Sequence, residues 1–176
     1  MGMDAEILLW IQENVRNDVL TPFLSTVTLL GNAGWFWIVL SVILLCTKKY
    51  RYVGMTSGLA LLGSFFINNL ILKNAVGRVR PYEVIDGLVL IGHKAWDASF
   101  PSGHSGCSFA VATVFLLMLP KRFGIPSVIL AVIIAFSRLY IGIHYPADVL
   151  VGTLDGILLG VCAVFFMRYR QKKASE

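Results

Sequence analysis

Two histidines, four basic residues and one aspartate lie in three short stretches of this chain, and their types and spacing suit phosphoryl transfer. The first stretch is "KNAVGRVRP", in which six residues separate Lys73 from Arg80 and Pro81 closes the segment. The second is "PSGH", Pro101 to His104, and the third is "SRLYIGIHYPAD", which carries Ser137, Arg138, His144 and Asp148. A phosphomonoester bears about −1.5 to −2 charges at neutral pH. Arginine binds its oxygens in pairs and lysine binds as a point charge. Lys73, Arg80 and Arg138 can therefore neutralise the phosphoryl oxygens in the transition state. Ser102 and Gly103 are predicted to open a helix, whose unpaired N–H groups and dipole favour an anion, and Gly103 lets a phosphate approach the backbone. Two histidines can supply a nucleophile and a proton donor near neutral pH. Asp148 follows His144 by four residues and is placed to fix its imidazole tautomer. Neither an Asp/Glu cluster nor a His/Cys set has the spacing of metal ligands, so no metal or other cofactor is expected.

Three stretches so far apart need a scaffold that brings them to one surface. The chain has 176 residues, 57% of them hydrophobic and only 14% charged, and a mean hydropathy of +0.75. A soluble domain carries about 25% charged residues, so a single integral membrane domain is expected. Residues 53–72, 103–119, 125–143 and 147–167 approach the roughly 20 apolar residues a membrane helix needs. Val19 to Thr47 has no charge, and "GNAG" at 31–34 breaks it. That pattern predicts a partly inserted helix over 19–30 and a span over 34–47. Residues 4–17 place Ile7, Leu8, Ile11 and Val15 on one face, with Glu6, Gln12, Glu13 and Arg16 elsewhere, as in a helix lying in the membrane interface. The expected fold is an all-α polytopic membrane helix bundle. It has five transmembrane helices plus this N-terminal element (1–31), or six if residues 5–30 cross as one tilted helix, and a polar tail at 168–176.

Charge orients the bundle. Lys48, Lys49 and Arg51, then Lys121 and Arg122, then Arg168, Arg170, Lys172 and Lys173 fall by helix parity on one side. By the positive-inside rule that side is cytoplasmic. The three chemical stretches then share the opposite, extracytoplasmic face. This distribution also argues against a nucleic-acid partner, despite a pI near 9.3. The acidic N-terminus is unlike a signal peptide. Cys46, Cys107 and Cys162 are widely spaced in apolar segments and are read as small core or lipid-facing residues.

Taken together, the stretches resemble the three-part signature of the type-2 phosphatidic acid phosphatase superfamily: K-x6-RP, PSGH, then SR-x5-H-x3-D. Every signature position is filled, in order, and the resemblance covers roughly residues 50–165. That superfamily includes phosphatidylglycerophosphate and undecaprenyl-diphosphate phosphatases and shares its core with vanadium haloperoxidases. The resemblance implies that His144 is the nucleophile, Asp148 its orienting group and His104 the general acid. It implies that Lys73, Arg80, Ser102, Gly103 and Arg138 hold the phosphate, with Ser137 nearby. It further implies metal-independent hydrolysis of a membrane lipid phosphate or diphosphate through a phosphohistidine. The site would lie at the extracytoplasmic face of a bacterial cytoplasmic membrane. The substrate class would be phosphatidic acid, phosphatidylglycerophosphate or undecaprenyl diphosphate.

Other polar residues are given blander roles. His93 reads as a solvated loop residue. Trp96 either anchors at the headgroups or lines the entrance, and Asp97 is given no role of its own. Arg78 either recruits an anionic headgroup or sits in solvent. Asn68, Asn69 and Asp155 read as interhelical hydrogen-bonding groups, and Trp10, Trp35 and Trp37 as interface anchors. The alternative function is a transporter or binding protein for phosphate or phospholipid, whose positive pocket would look similar. It leaves the His144–Asp148 pair opposite a second histidine unexplained.

Overall fold

The computed structural model describes residues 2–175, which are largely helical with no strand among them. Helices α1 (Met3–Asn14), α2 (Leu20–Leu29) and α3 (Trp35–Cys46) come first. Next, α4 (Arg51–Ser64) runs through a π-helical stretch, Phe65–Leu72, into α5 (Lys73–Val76). After the short α6 (Pro81–Val84) and a loop come α7 (Gly103–Met118), α8 (Lys121–Tyr140) and α9 (Pro146–Ser175). Among the described residues, three segments are long and apolar enough to cross a membrane: Arg51–Val84, Lys121–Tyr140 and Pro146–Ala174. Leu20–Leu29 and Asn32–Cys46 reach that criterion only as a pair, bent by 48°. The break falls at the predicted "GNAG", where Ala33 and Gly34 take left-handed backbone angles, φ 49° and 67°.

The centre of the bundle is α7, whose side chains are buried almost continuously from Ser105 to Phe115. It can be enclosed so tightly because α9 presents a glycine every fourth residue to it. A Cβ at Gly156 would stand 3.0 Å from the Ala110 nitrogen, and one at Gly160 would stand 2.7 Å from the Ala110 carbonyl oxygen. Small residues at this spacing let two membrane helices meet backbone to backbone, where dispersion rather than the hydrophobic effect holds them. The consequence for the site is positional. The Ser102 backbone N–H donates to the Asp148 carbonyl at 3.0 Å, so the start of α7 and the start of α9 are fixed against each other.

All three chemical stretches lie at one end of the bundle. At the other end the Arg168 guanidinium donates to the Leu117 carbonyl at 3.4 Å and the Tyr52 hydroxyl donates to the Met167 carbonyl. The three basic groups identified by parity therefore do share one end.

The amphipathic N-terminal helix expected over 4–17 is α1 (Met3–Asn14), and it packs against the bundle as well. Leu8 and Ile11 are buried against protein. The polar side is engaged as well: Gln12 brackets the loop at Gly87 O (2.9 Å) and Val89 N (2.7 Å), and Arg16 donates to the Tyr140 carbonyl at 2.9 Å. Met3, Ile7 and Trp10 form an exposed apolar stripe, with Glu6, Glu13 and Asn14 also exposed. Hydrophobic periodicity located the helix but could not say that its polar side would meet backbone groups of a distant loop. Trp37 is a plain correction. It is not an interface anchor but fully buried, with its indole N–H on Ser108 Oγ at 2.9 Å. Trp10 and Trp35 are exposed. As expected, Asn68 bridges helices, donating to Asp155 Oδ2 at 2.8 Å and to Ser64 Oγ at 3.1 Å.

Candidate active site

His144 sits in the turn between α8 and α9, and the sequence "HYPAD" builds the helix start beside it. Pro146 occupies the first helical position, where its missing N–H costs nothing. Asp148 two residues later reaches back to accept the Tyr145 backbone N–H at 3.0 Å, the carboxylate half of a capping box. The same Oδ2 accepts the Ser99 hydroxyl at 2.5 Å and stands 3.5 Å from His144 Nδ1. Oδ1 is held by Arg78 at 2.7 Å, whose guanidinium also lies 3.6 Å over the Tyr145 ring and pairs with Asp4 at 2.8 Å. Every edge of the Asp148 carboxylate therefore has a partner, which leaves it one orientation.

His144 is 2% exposed. Burial, reinforced by the charges of Arg80 and Arg138, pushes the imidazole down to about 3, against the pull of Asp148. The ring is neutral at physiological pH. With Asp148 accepting at Nδ1, its lone pair lies on Nε2, which is 3.0 Å from Arg80 Nη1. A neutral imidazole whose free nitrogen faces a guanidinium has the lone pair and the position to attack an anion held there.

Three cations converge beside it. Arg80, 4% exposed, donates to the Ile143 carbonyl at 2.9 Å and to Asp97 Oδ1 at 2.6 Å. Lys73 pairs with the other oxygen of Asp97. Burial alone would raise the Asp97 carboxyl, but Lys73 and Arg80 outweigh it and hold it below the usual carboxylate range. Arg138 donates from Nη1 to Thr28 Oγ1 at 2.7 Å, and its buried Nε has no partner among the described residues. A buried guanidinium N–H without an acceptor is costly in a protein that binds nothing there. It is the feature expected of an anion site.

Ser102 caps α7, its hydroxyl oxygen accepting from the Ser105 hydroxyl at 3.0 Å and from the Ser105 N–H at 3.4 Å. That leaves the first N–H groups of the helix, at Gly103 and His104, without helical partners. Lys73, Arg80, Gly103, His104, Arg138 and His144 all line one cavity of about 1290 Å³. Ser102 and Asp148 lie behind its wall and are fully buried. Ser137 is turned away, donating to the Ile134 carbonyl at 2.6 Å. Below this polar end the cavity continues between α3 and α4 past Ile38, Val42, Leu45, Leu61, Leu62 and Phe65. Trp96, 97% exposed, stands at its mouth.

Arg78 and Asp97 take larger parts than their sequence context suggests. Each is only partly exposed, Arg78 at 31% and Asp97 at 29%, and each forms two ion pairs. Thr28 and Ser99 also join the site, with no motif to mark them. The signals were faint, although charged residues close to a functional stretch in so apolar a chain are themselves a clue.

Residues 51–173 match the family model of the PAP2 superfamily. The chain is 31% identical to the undecaprenyl-diphosphatase of Sulfolobus acidocaldarius over 130 residues, which is 74% of this chain and 63% of that protein. It is 32% identical to phosphatidylglycerophosphatase B of Bacillus subtilis over 175 residues, 90% of this chain and 82% of that protein. Among solved structures, Aquifex aeolicus LpxE superposes with a TM-score of 0.83 at 26% identity, covering 93% of this chain and 96% of that one.

Proposed function

Because the chain belongs to the PAP2 superfamily, we propose that it is a membrane lipid phosphatase that hydrolyses a phosphate or diphosphate through a phosphohistidine, without a metal. The observation that carries this reading is the cavity itself. Three cations and two histidines close one end, and an apolar groove leads away from them along membrane helices. A lipid can leave its tail in the groove while its phosphate meets Lys73, Arg80 and Arg138. His144 Nε2 attacks phosphorus and His104 gives a proton to the departing oxygen. Water then attacks the phosphohistidine, returns a proton to His104 and frees phosphate. The cations stabilise charge in both steps, which is the part a metal would otherwise play.

The relatives and the superfamily give the substrates to try. Values of kcat/KM for phosphatidic acid, phosphatidylglycerophosphate and undecaprenyl diphosphate, measured on purified protein in detergent, are expected to show phosphate release from at least one and to rank them. Folded protein that releases phosphate from none would favour a transporter or binding protein of the same lipids.

The basic end of the bundle supports five crossings: the bent α2–α3 pair, the α4–α5 run, α7, α8 and α9. The site then faces the extracytoplasmic side and the C-terminus the cytoplasm. A cysteine placed at Lys49 in a cysteine-free background should be protected from an impermeant thiol reagent added outside intact cells; labelling there would reverse the orientation.

A further inference from the structure

We propose that Asn32, at the bend between α2 and α3, is a positioning residue for the proton donor: it holds one nitrogen of His104 and leaves the other to serve the leaving group. This rests on the phosphatase reading above. Asn32 Oδ1 stands 2.9 Å from His104 Nε2, across 72 residues of sequence. The turn that carries it is built for the purpose. Ala33 and Gly34 hold left-handed angles of φ 49° and 67°, and the Trp35 indole N–H bonds back to the Leu29 carbonyl at 2.8 Å. The residue before, Gly31, leaves space that the His104 ring fills. A side chain there would collide with the ring and come within 3.0 Å of Ile134 Cγ2.

The chemistry explains why such a partner is useful. His104 shares its cavity with Lys73, Arg80, Arg138 and His144. The three cations among them oppose a second proton on its imidazole, and the neutral His144 ring does not offset them. An amide oxygen does, because it accepts from Nε2–H in both charge states. With Nε2 committed to Asn32, the proton that can be given up resides on Nδ1. When the ester P–O bond breaks and the His144 Nε2–P bond forms, that proton passes to the departing oxygen and His104 is left neutral.

The test uses two esters with the same tails: a short-chain phosphatidic acid and its analogue with sulfur in place of the bridging oxygen. A thiolate leaves without a proton, and kcat/KM reports the first half-reaction alone. Asn32→Ala is expected to lower kcat/KM for the oxygen ester by about 10- to 100-fold and for the sulfur ester by less than about threefold. Equal losses on both would overturn the proposal and reduce Asn32 to a structural turn residue. Asn32→Asp serves as the second variant. Its carboxylate favours the imidazolium, so the basic limb of the kcat/KM profile for the oxygen ester should move to higher pH. A limb that does not move would also overturn the proposal. Wild-type protein that releases phosphate from neither ester, nor from phosphatidylglycerophosphate or undecaprenyl diphosphate, would instead refute the phosphatase reading.

Discussion

His144→Ala should lower turnover of a lipid phosphate by on the order of 10⁵-fold while the protein stays folded. The size follows from the role. Once the imidazole is gone, the other groups can still bind and polarise the phosphate, but no neutral nucleophile faces it. Folding should survive because the carboxylate behind the histidine is not orphaned. Asp148 retains Ser99, the Tyr145 N–H and Arg78. Initial rates paired with thermal melts in detergent separate the two effects. The melts carry a further sign. His144 titrates near 6.5 when unfolded and is pushed down to about 3 when folded. The unfolded state therefore binds the proton first, and the wild type should lose stability as pH falls from about 6.5 toward 3. The alanine variant lacks that contribution and should lose less. A variant with near-normal turnover would show that His144 is not the nucleophile.

The second large effect is expected from His104→Ala. General acid catalysis is worth about 10²- to 10⁴-fold, and kcat/KM for an oxygen ester should fall by that much. Binding of inorganic phosphate should change little, since the cations that hold it remain. A sulfur-bridged ester gives a sharper result. Its leaving group departs unaided, but water attack on the phosphohistidine then lacks its base. Thiol should therefore appear in a rapid burst close to one equivalent of enzyme, followed by slow turnover. A steady state without a burst, at the wild-type rate, would remove His104 from both half-reactions.

Much of this site is legible in the sequence because its parts are local. "HYPAD" specifies a helix start with a histidine just outside and an aspartate in the first turn. "PSGH" specifies a serine cap and a helix start open to an anion. The uncharged run broken at "GNAG" also predicts the bend that is found between α2 and α3. Sequence periodicity could not reveal the long-range partners. Arg78 reaches Asp148 across 70 residues, and Asn32 reaches His104 across 72. Such pairs depend on how the bundle closes and have no spacing of their own. Trp37 fails for a related reason. An indole in a membrane chain suits either the interface or the interior, and here Ser108 on a neighbouring helix supplies the acceptor that decides between them. The glycines at 152, 156 and 160 are readable without the structure, since a small residue every fourth position announces a close helix contact.

If this chain cleaves lipid phosphates with its own side chains and no metal, chelation should leave it untouched. The decisive assay is phosphate release from a detergent-dispersed lipid phosphate in excess EDTA, by wild type and by His144→Ala side by side. Full wild-type release in EDTA, with none above background from the variant, is the expected result. Release that EDTA abolishes and added divalent metal restores, or that persists in His144→Ala, would contradict it.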